Sequence, residues 1–570
     1  MTNQQLKNLK DTLWATADQL RANSGLKSTE YAEPVLGLIF LRFAECKYAK
    51  YEAEIQAEYA TVKGTRMERP IHEIAIEKCG FYLPDEAKYE YLLNLPESEN
   101  LSQKVKEAME ALETYTAELY DTLPKDIYYS VNSKDDPLVL SKLLRNFKDI
   151  PTDVQLDIFG EIYEYFLGKF ALAEGQGGGE FFTPSTVVRY MVEVLAPTEG
   201  MILDPACGSG GMFVQTAHYI ERHKAAGKPL NLRAYGVEKT SATVKLAKMN
   251  LVLNNVRGTI TEANSYYRDP YDSFGKFDYV MANPPFNVDE VELDQVKNQP
   301  RFNAYGVPQN KTKKKKDAAK ETVPNANYLW INLFATSLKD TGRAALVMAN
   351  SASDAGHSEK EIRKKLIENG VISQMVTLPP NMFTSVTLPA TLWFFDKARA
   401  KKDEILFIDA RNIFTPIDRA HRKFSDEQIK NLGIISRLYE GNADAYADLL
   451  AEYRAKLAEA PEVSDDEDAP PKAYWQAQID WLTERFPEGK YRDVIGLCKA
   501  AALWGEDGIM EQDYSLNPGR YVGVVIEDDG MTEEEFQNEM MSIHETFVEL
   551  NSDAHAMETT IALNIQKLFK

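Results

Sequence analysis

Cysteine is scarce. The four residues Cys46, Cys79, Cys207 and Cys498 form no CxxC and no Cys/His cluster in a chain of 570 residues. That argues against structural zinc and a disulfide framework, and for a reducing compartment. Long apolar runs are missing too. No segment reaches the roughly 18 apolar residues that span a bilayer. The first residues show no basic start followed by an apolar stretch. The expectation is a cytoplasmic chain without membrane contact and without a metal. Positive charge is also in deficit. Lys and Arg number 65 against 87 Asp and Glu, for a net charge of −22. The chain as a whole repels polyanions, so a nucleic-acid partner needs either a local basic surface or a second protein to make the contact. One basic run exists: Lys311, Lys313, Lys314, Lys315, Lys316 and Lys320. It reads as a solvated loop or as a contact for backbone phosphate. With 44% apolar and 27% charged residues the composition is globular, and the length predicts two or three domains.

The chain changes character twice. Residues 1–150 carry apolar groups at helical spacing, clearest from Tyr31 to Phe43, and predict a helical N-terminal domain. A further helix would set Phe159, Ile162, Tyr163, Phe166, Leu167 and Phe170 on one face, before a glycine-rich hinge from Gly175 to Gly179. Over 151–415, β-rich runs at 201–203, 232–237, 277–281, 343–349, 371–378 and 391–395 alternate with helical stretches. This predicts an α/β domain with a parallel, doubly wound sheet, whose ligands bind beyond the carboxyl ends of the strands. From 416 to 570 the pattern is helical again, broken by the acidic, proline-bounded stretch that starts at Pro461. Near the end Phe536, Met540, Ile543, Phe547, Leu550, Ala554, Met557, Ile561 and Leu568 recur at alternating spacings of four and three, interrupted by Asn564. Such a seam fits a core helix or a helix that docks a helical partner; its length of roughly 50 Å favours the partner.

Three motifs carry chemistry. The strand Met201-Ile-Leu runs into Asp204-Pro-Ala-Cys-Gly-Ser-Gly-Gly211. Gly208, Gly210 and Gly211, with Ser209, let a ligand approach the backbone at a strand-to-helix turn. The stretch lacks both the Lys-Ser/Thr of a P-loop and the GxGxxG spacing. Asp204 at the strand end suits a ligand with a cationic amino-acid moiety. The next strand ends in Glu238, placed either to accept hydrogen bonds from ribose hydroxyls or to cap the helix that follows. The third motif is Asn283-Pro284-Pro285-Phe286. Two prolines fix φ and remove two donors, so the Asn283 side chain and the Pro284 carbonyl can accept both protons of one exocyclic amine. Accepting them localises the nitrogen lone pair and makes the amine a nucleophile without a strong base. Phe286 is placed to stack on the base, which must be flipped out of a duplex to reach the site.

Asp204-Pro-Ala-Cys-Gly-Ser-Gly-Gly211 resembles the cofactor motif of amino-methyltransferases, and Asn283-Pro-Pro-Phe286 resembles their catalytic motif for adenine. Gly179, Glu180, Phe181, Phe182, Thr183 and Pro184 look like a further cofactor element. The order, cofactor motifs before catalytic motif, is similar to the gamma class of DNA adenine methyltransferases. Within it the chain resembles the modification (M) subunit of type I restriction–modification systems. Leu378-Pro-Pro-Asn-Met-Phe383, Phe407-Ile-Asp-Ala-Arg-Asn-Ile-Phe414 and Asp513–Val522 fit as well. The resemblance implies a Rossmann-like methyltransferase sheet and S-adenosyl-L-methionine (AdoMet) as cofactor. It implies AdoMet contacts at Gly179–Pro184, Ser209–Gly211 and Glu238, with Asn264 near the cofactor's adenine. It also implies double-stranded DNA as substrate, a specificity (S) subunit and a restriction (R) subunit as partners, and a second copy of the M subunit in the complex. A separate S subunit would answer the charge problem, because residues 416–570 are a poor match for a base-reading module. Other readings are methyl transfer to RNA adenine or protein glutamine, a stand-alone DNA methyltransferase, and a non-catalytic AdoMet-binding protein. Phe286, where glutamine methyltransferases usually have Tyr, and the length of 570 argue against the glutamine reading.

Overall fold

In the computed structural model the described residues are 3–23, 26, 32–132, 136–148, 150, 162, 165–166, 169–170, 183–224, 230–309, 321–383, 389–418, 421–464, 469–525 and 533–568. The expected hinge 175–179, the lysine run 311–320 and the residues Phe159, Tyr163 and Leu167 lie outside them.

Eight strands arise from the middle of the chain: β1 (Gly200–Asp204), β2 (Leu232–Glu238), β3 (Arg257–Glu262), β4 (Phe277–Ala282), β5 (Leu338–Ala349), β6 (Ile372–Thr377), β7 (Ala390–Asp396) and β8 (Glu404–Asp409). A short ribbon, β9 (Thr415–Pro416) with β10 (Arg422–Lys423), follows, and then β11 (Cys498–Ala502). Apart from the ribbon they form one nine-stranded sheet in the order β11-β8-β6-β7-β5-β4-β1-β2-β3. From β1 the chain steps outward through β2 and β3, then returns to place β4 on the other flank of β1. The pair β1–β4 is therefore the topological switch point, where open α/β sheets leave a crevice.

Period-two burial explains why helices cover both faces. Met281, Ala345 and Val347 enter one core, whereas Val280, Ala282, Leu346 and Met348 enter another. The first core is roofed by the helices Ser185–Leu195 and Gly211–His223, and by Asp426–Tyr439, Ala443–Glu459 and Lys472–Arg485. The second is roofed by Asn327–Ser337 and His357–Glu368. The sheet is mostly parallel, but β7 runs antiparallel between β5 and β6, and β11 antiparallel against β8. The region beyond 415 thus adds an edge strand to its helices. Cys498-Lys-Ala-Ala-Ala502 has no alternating β-branched pattern, and the tertiary edge supplies what propensity does not.

The N-terminal helices have their own core. The helix Ala32–Val62 is buried without interruption from Pro34 to Ala44, a stretch apolar on every side but for Arg42. Trp14 meets Phe166 and Phe170 edge-on at 5.7 and 5.2 Å. This core also takes in Met249, Val252 and Leu253 from the helix Ser241–Leu253, so the N-terminal helices and the sheet's covering share side chains.

The chain divides into two compact units, Met1–Val522 and Gly523–Lys570. The second holds the helix Glu533–Leu568, of 36 residues. Among the described residues no helix is long and apolar enough to cross a membrane, and no cluster of His, Cys, Asp and Glu could hold a metal ion.

Candidate active site at the sheet switch point

Parallel pairing puts the motif residues on one edge of the sheet. Ile202 and Leu203 of β1 register with Tyr279 and Val280 of β4, and Asp204 registers with Gly236 of β2. Asp204, Glu238 and Asn283 therefore all emerge at the carboxyl ends of adjacent strands. Asn264 follows β3 on the same edge, where its side chain accepts from the Tyr266 N–H at 3.0 Å.

Asp204 is only 1% exposed, and its Oδ1 accepts from the Ala206 N–H at 3.0 Å. Burial pushes its carboxyl well above the usual range; the Ala206 N–H pulls it back, and the nearby Glu238 pushes it up further. A cationic group bound here would reverse that cost. Glu238 folds back on the loop: Oε2 accepts from the Gly208 N–H at 3.2 Å and Oε1 from the Thr240 N–H at 2.9 Å. The bond to Thr240 N–H, at the entry to the helix Ser241–Leu253, fits the helix-entry reading of Glu238. Gly208 and Gly210 take left-handed backbone, with φ of 51° and 81°. A Cβ at Gly208 or Gly211 would point into open space, so the bare backbone faces room for a ligand. These residues fit AdoMet: a buried carboxyl for the amino group, a second carboxylate for a ribose, and a side-chain-free turn between them.

β4 ends where its sequence turns to proline, since Pro284 and Pro285 have no N–H to continue a ladder. Pro284 is buried, while Asn283, Pro285 and Phe286 are half-buried. Phe286 packs against both cores at once. The turn closes on Asn287, whose φ of 57° is left-handed, a conformation asparagine tolerates. Asn287 N–H donates to Asn327 Oδ1 at 2.8 Å, and its own Oδ1 accepts from Asn325 and Asn327 at 3.0 and 2.9 Å. The Asn283 Nδ2 donates to Thr183 Oγ1 at 2.9 Å. Thr183, expected at the cofactor, thus lies within hydrogen-bond reach of the catalytic-motif asparagine. Pro184 beside it is half-buried and caps the helix Ser185–Leu195. Gly179, Glu180, Phe181 and Phe182 lie outside the described residues.

Several supporting residues were not legible in the sequence. Asn250 Nδ2 donates to the Ser209 carbonyl at 2.9 Å, pinning the glycine-rich loop to the helix Ser241–Leu253. Asn254 Nδ2 donates to Asn250 Oδ1 at 3.0 Å. At that helix's C-terminal end the buried Lys47 donates to the Leu253 carbonyl at 2.6 Å and to Asn255 Oδ1 at 2.8 Å. Burial pulls its ammonium from 10.5 down to about 7. An N-terminal helix therefore secures the far end of the element that holds the cofactor loop. The only local signal was the asparagine-rich stretch from Asn250 to Asn255.

The N-6 DNA Methylase family matches residues 154–477, and the HsdM N-terminal domain matches residues 9–147. The chain belongs to the N-6 DNA methylase family. It is 34% identical to the type I restriction enzyme MjaIX methylase subunit of Methanocaldococcus jannaschii, over 92% of this chain and 85% of that one. It is 32% identical to the HindI methylase subunit of Haemophilus influenzae, over 87% and 97%. A type I methyltransferase subunit from Streptococcus thermophilus has the same fold, with a TM-score of 0.65 at 19% identity, over 91% of this chain and 99% of that one. This N-6 DNA methylase is thus an adenine-specific DNA methyltransferase subunit of the type I restriction–modification kind. Membership implies AdoMet as its methyl donor.

Proposed function

We propose that the methyl acceptor is a flipped-out adenine held by Asn283 and Pro284, with AdoMet seated between the turn Asp204–Gly211 and Glu238. The observation that carries this reading is the meeting of both motifs at the β1–β4 switch point. When bound, AdoMet supplies a methyl group on a sulfonium. Toward it, Asp204 holds the amino group, Glu238 and Asn264 hold the adenosine, and Thr183 and Pro184 border the site. Toward DNA, Asn283 Oδ1 and the Pro284 carbonyl accept the two protons of N6. Phe286 stacks on the ring and Pro285 keeps the turn rigid.

Sequence choice belongs, on this reading, to a separate specificity subunit, docked through the Glu533–Leu568 helix in a complex that also holds a second copy of this chain and a restriction subunit. Its support is the net charge of −22 and the exposed apolar seam of that helix. Asn283→Ala removes an acceptor that matters most in the transition state. Its single-turnover methylation rate should fall by about 10²–10³, by analogy with a lost oxyanion-hole donor, with AdoMet affinity within a few-fold. The assay uses the chain co-expressed with its specificity subunit and labelled AdoMet, with plasmid DNA, RNA and protein as acceptors. Near-normal turnover of Asn283→Ala, or transfer to RNA or protein in preference to DNA, overturns the reading.

A further inference from the structure

We propose that Thr183 is a positioning residue for the methyl transfer: its hydroxyl anchors the Asn283 amide so that Oδ1 is presented to the adenine amine. The proposal rests on the reading of Asn283 given above. It adds a role toward Asn283 to a residue that resemblance placed among the cofactor contacts.

The need for an anchor follows from the asparagine side chain. Its terminal torsion is an sp³–sp² rotation with a broad well, so the chain alone does not fix the amide plane. The two ends of the amide are also opposite in function: Oδ1 accepts, whereas Nδ2 would set a donor against the donor it must bind. The structure ties the Nδ2 end to Thr183 Oγ1 at 2.9 Å, and the Oδ1 end of the same amide is buried from solvent. A hydroxyl suits this work because its own proton rotates away and leaves lone pairs toward the amide.

The anchor is rigid for a reason visible in its neighbours. Thr183 directly precedes Pro184, which fixes φ and caps the helix Ser185–Leu195. The Pro184 carbonyl accepts from the N–H groups of Val187 and Val188 at 3.0 and 3.2 Å. The helix then buries Val187, Val188, Tyr190 and Met191 in the core beneath the sheet. The hydroxyl thus stands on a packed element, and the bond spans 100 positions of sequence. A contact of this kind holds a reacting group within the narrow geometry that transfer requires.

The test splits rate from affinity in the full chain with its specificity subunit. Thr183→Val keeps the shape and removes the acceptor. Its single-turnover methylation rate at saturating AdoMet should fall roughly ten-fold, which is about 1.4 kcal/mol, while the AdoMet dissociation constant from calorimetry stays within two-fold. Thr183→Ser, which keeps the hydroxyl, should restore the rate to within about three-fold, a rescue that a purely steric role would not give. If Thr183→Val does not fold, Thr183→Ala must show the same split. A weaker AdoMet affinity with an unchanged saturated rate would overturn the proposal and return Thr183 to the cofactor alone. Unchanged rate and affinity would overturn it as well. Should Asn283→Ala also turn over normally, the underlying reading of Asn283 fails first, and the two failures are thereby told apart.

Discussion

Two long helices carry apolar stripes in this chain and meet opposite fates. The helix Ala32–Val62 encloses Leu38, Ile39, Phe40 and Leu41 completely, and buries Arg42 and Lys47 beside them. The helix Glu533–Leu568 leaves Phe547 64% and Leu550 63% exposed, with Met540, Ile543, Met557, Ile561 and Ile565 exposed along the same length. Apolar content does not decide between them. The first is covered by its own neighbours, and its buried cations donate to backbone carbonyls: Arg42 to those of Lys148 and Ile150 at 3.1 and 2.8 Å, and Lys47 to that of Leu253. The second presents a wide apolar face, broadened by Met541 and Val548 beyond the expected seam. An exposed face of that extent is what the proposed docking of a specificity subunit requires. One helix is enclosed by the fold; the other carries the face on which the proposed docking rests.

Mutations should separate these roles by size of effect. Phe40→Ala, in the enclosed helix, should destabilise the chain by about 3–5 kcal/mol, the cost of removing a buried aromatic, read as a lower urea midpoint. A loss under about 1 kcal/mol would show that the N-terminal core is looser than its burial implies.

Lys47→Met should cost less, about 1–3 kcal/mol, because it strands the Leu253 carbonyl and the Asn255 side chain without a donor. The pH dependence gives a second readout. The folded-state pKa of Lys47 lies at about 7, below the usual 10.5, through burial that the adjacent Cys79 only partly offsets. Folding therefore releases a proton between those values. The Lys47 contribution is fully present above pH 10.5 and is lost as pH falls through about 7. Thermal melts of the parent chain relative to Lys47→Met should gain stability as pH rises through this window. A difference independent of pH would mean the ammonium keeps its ordinary affinity for protons.

The smallest effect on stability is expected at the exposed seam. Phe547→Asp with Leu550→Asp should leave the melting of the isolated chain within about 0.5 kcal/mol, as at other surface sites. The same pair should abolish co-purification with the specificity subunit by burying unpaired charge in the interface. A large loss of stability in the isolated chain, or retained assembly, would remove the contrast between the two helices.

The motifs of the candidate site were legible because each is contiguous. Asn283-Pro-Pro-Phe286 and Asp204–Gly211 specify a turn, its donors and its acceptors within a few residues, and the strand before each is a short β-rich run. Glu238 was expected near the glycine-rich turn from its place after the first motif, and it ends β2 with its carboxylate on the Gly208 N–H. What holds the site together was not legible. Thr183 meets Asn283 across 100 positions, Lys47 meets Leu253 across 206, and Asn250 meets the Ser209 carbonyl across 41. No periodicity records such pairings, because each partner obeys the pattern of its own segment.

Strand direction and edge membership escaped for the same reason. β7 reads like its parallel neighbours, and Cys498-Lys-Ala-Ala-Ala502 reads like no strand at all, yet β7 is inserted antiparallel and Cys498–Ala502 completes the edge. By itself, then, the sequence determined the α/β class, the place of the motifs at strand ends and the helical character of both ends, since these depend on local spacing and residue type. Only the tertiary structure decided which strand lies beside which, and which polar groups secure the glycine-rich loop and Asn283. It also decided which apolar helix is enclosed and which is left open. Those outcomes depend on groups far apart in the chain competing for the same space, a competition settled only when the sheet and its helices pack together.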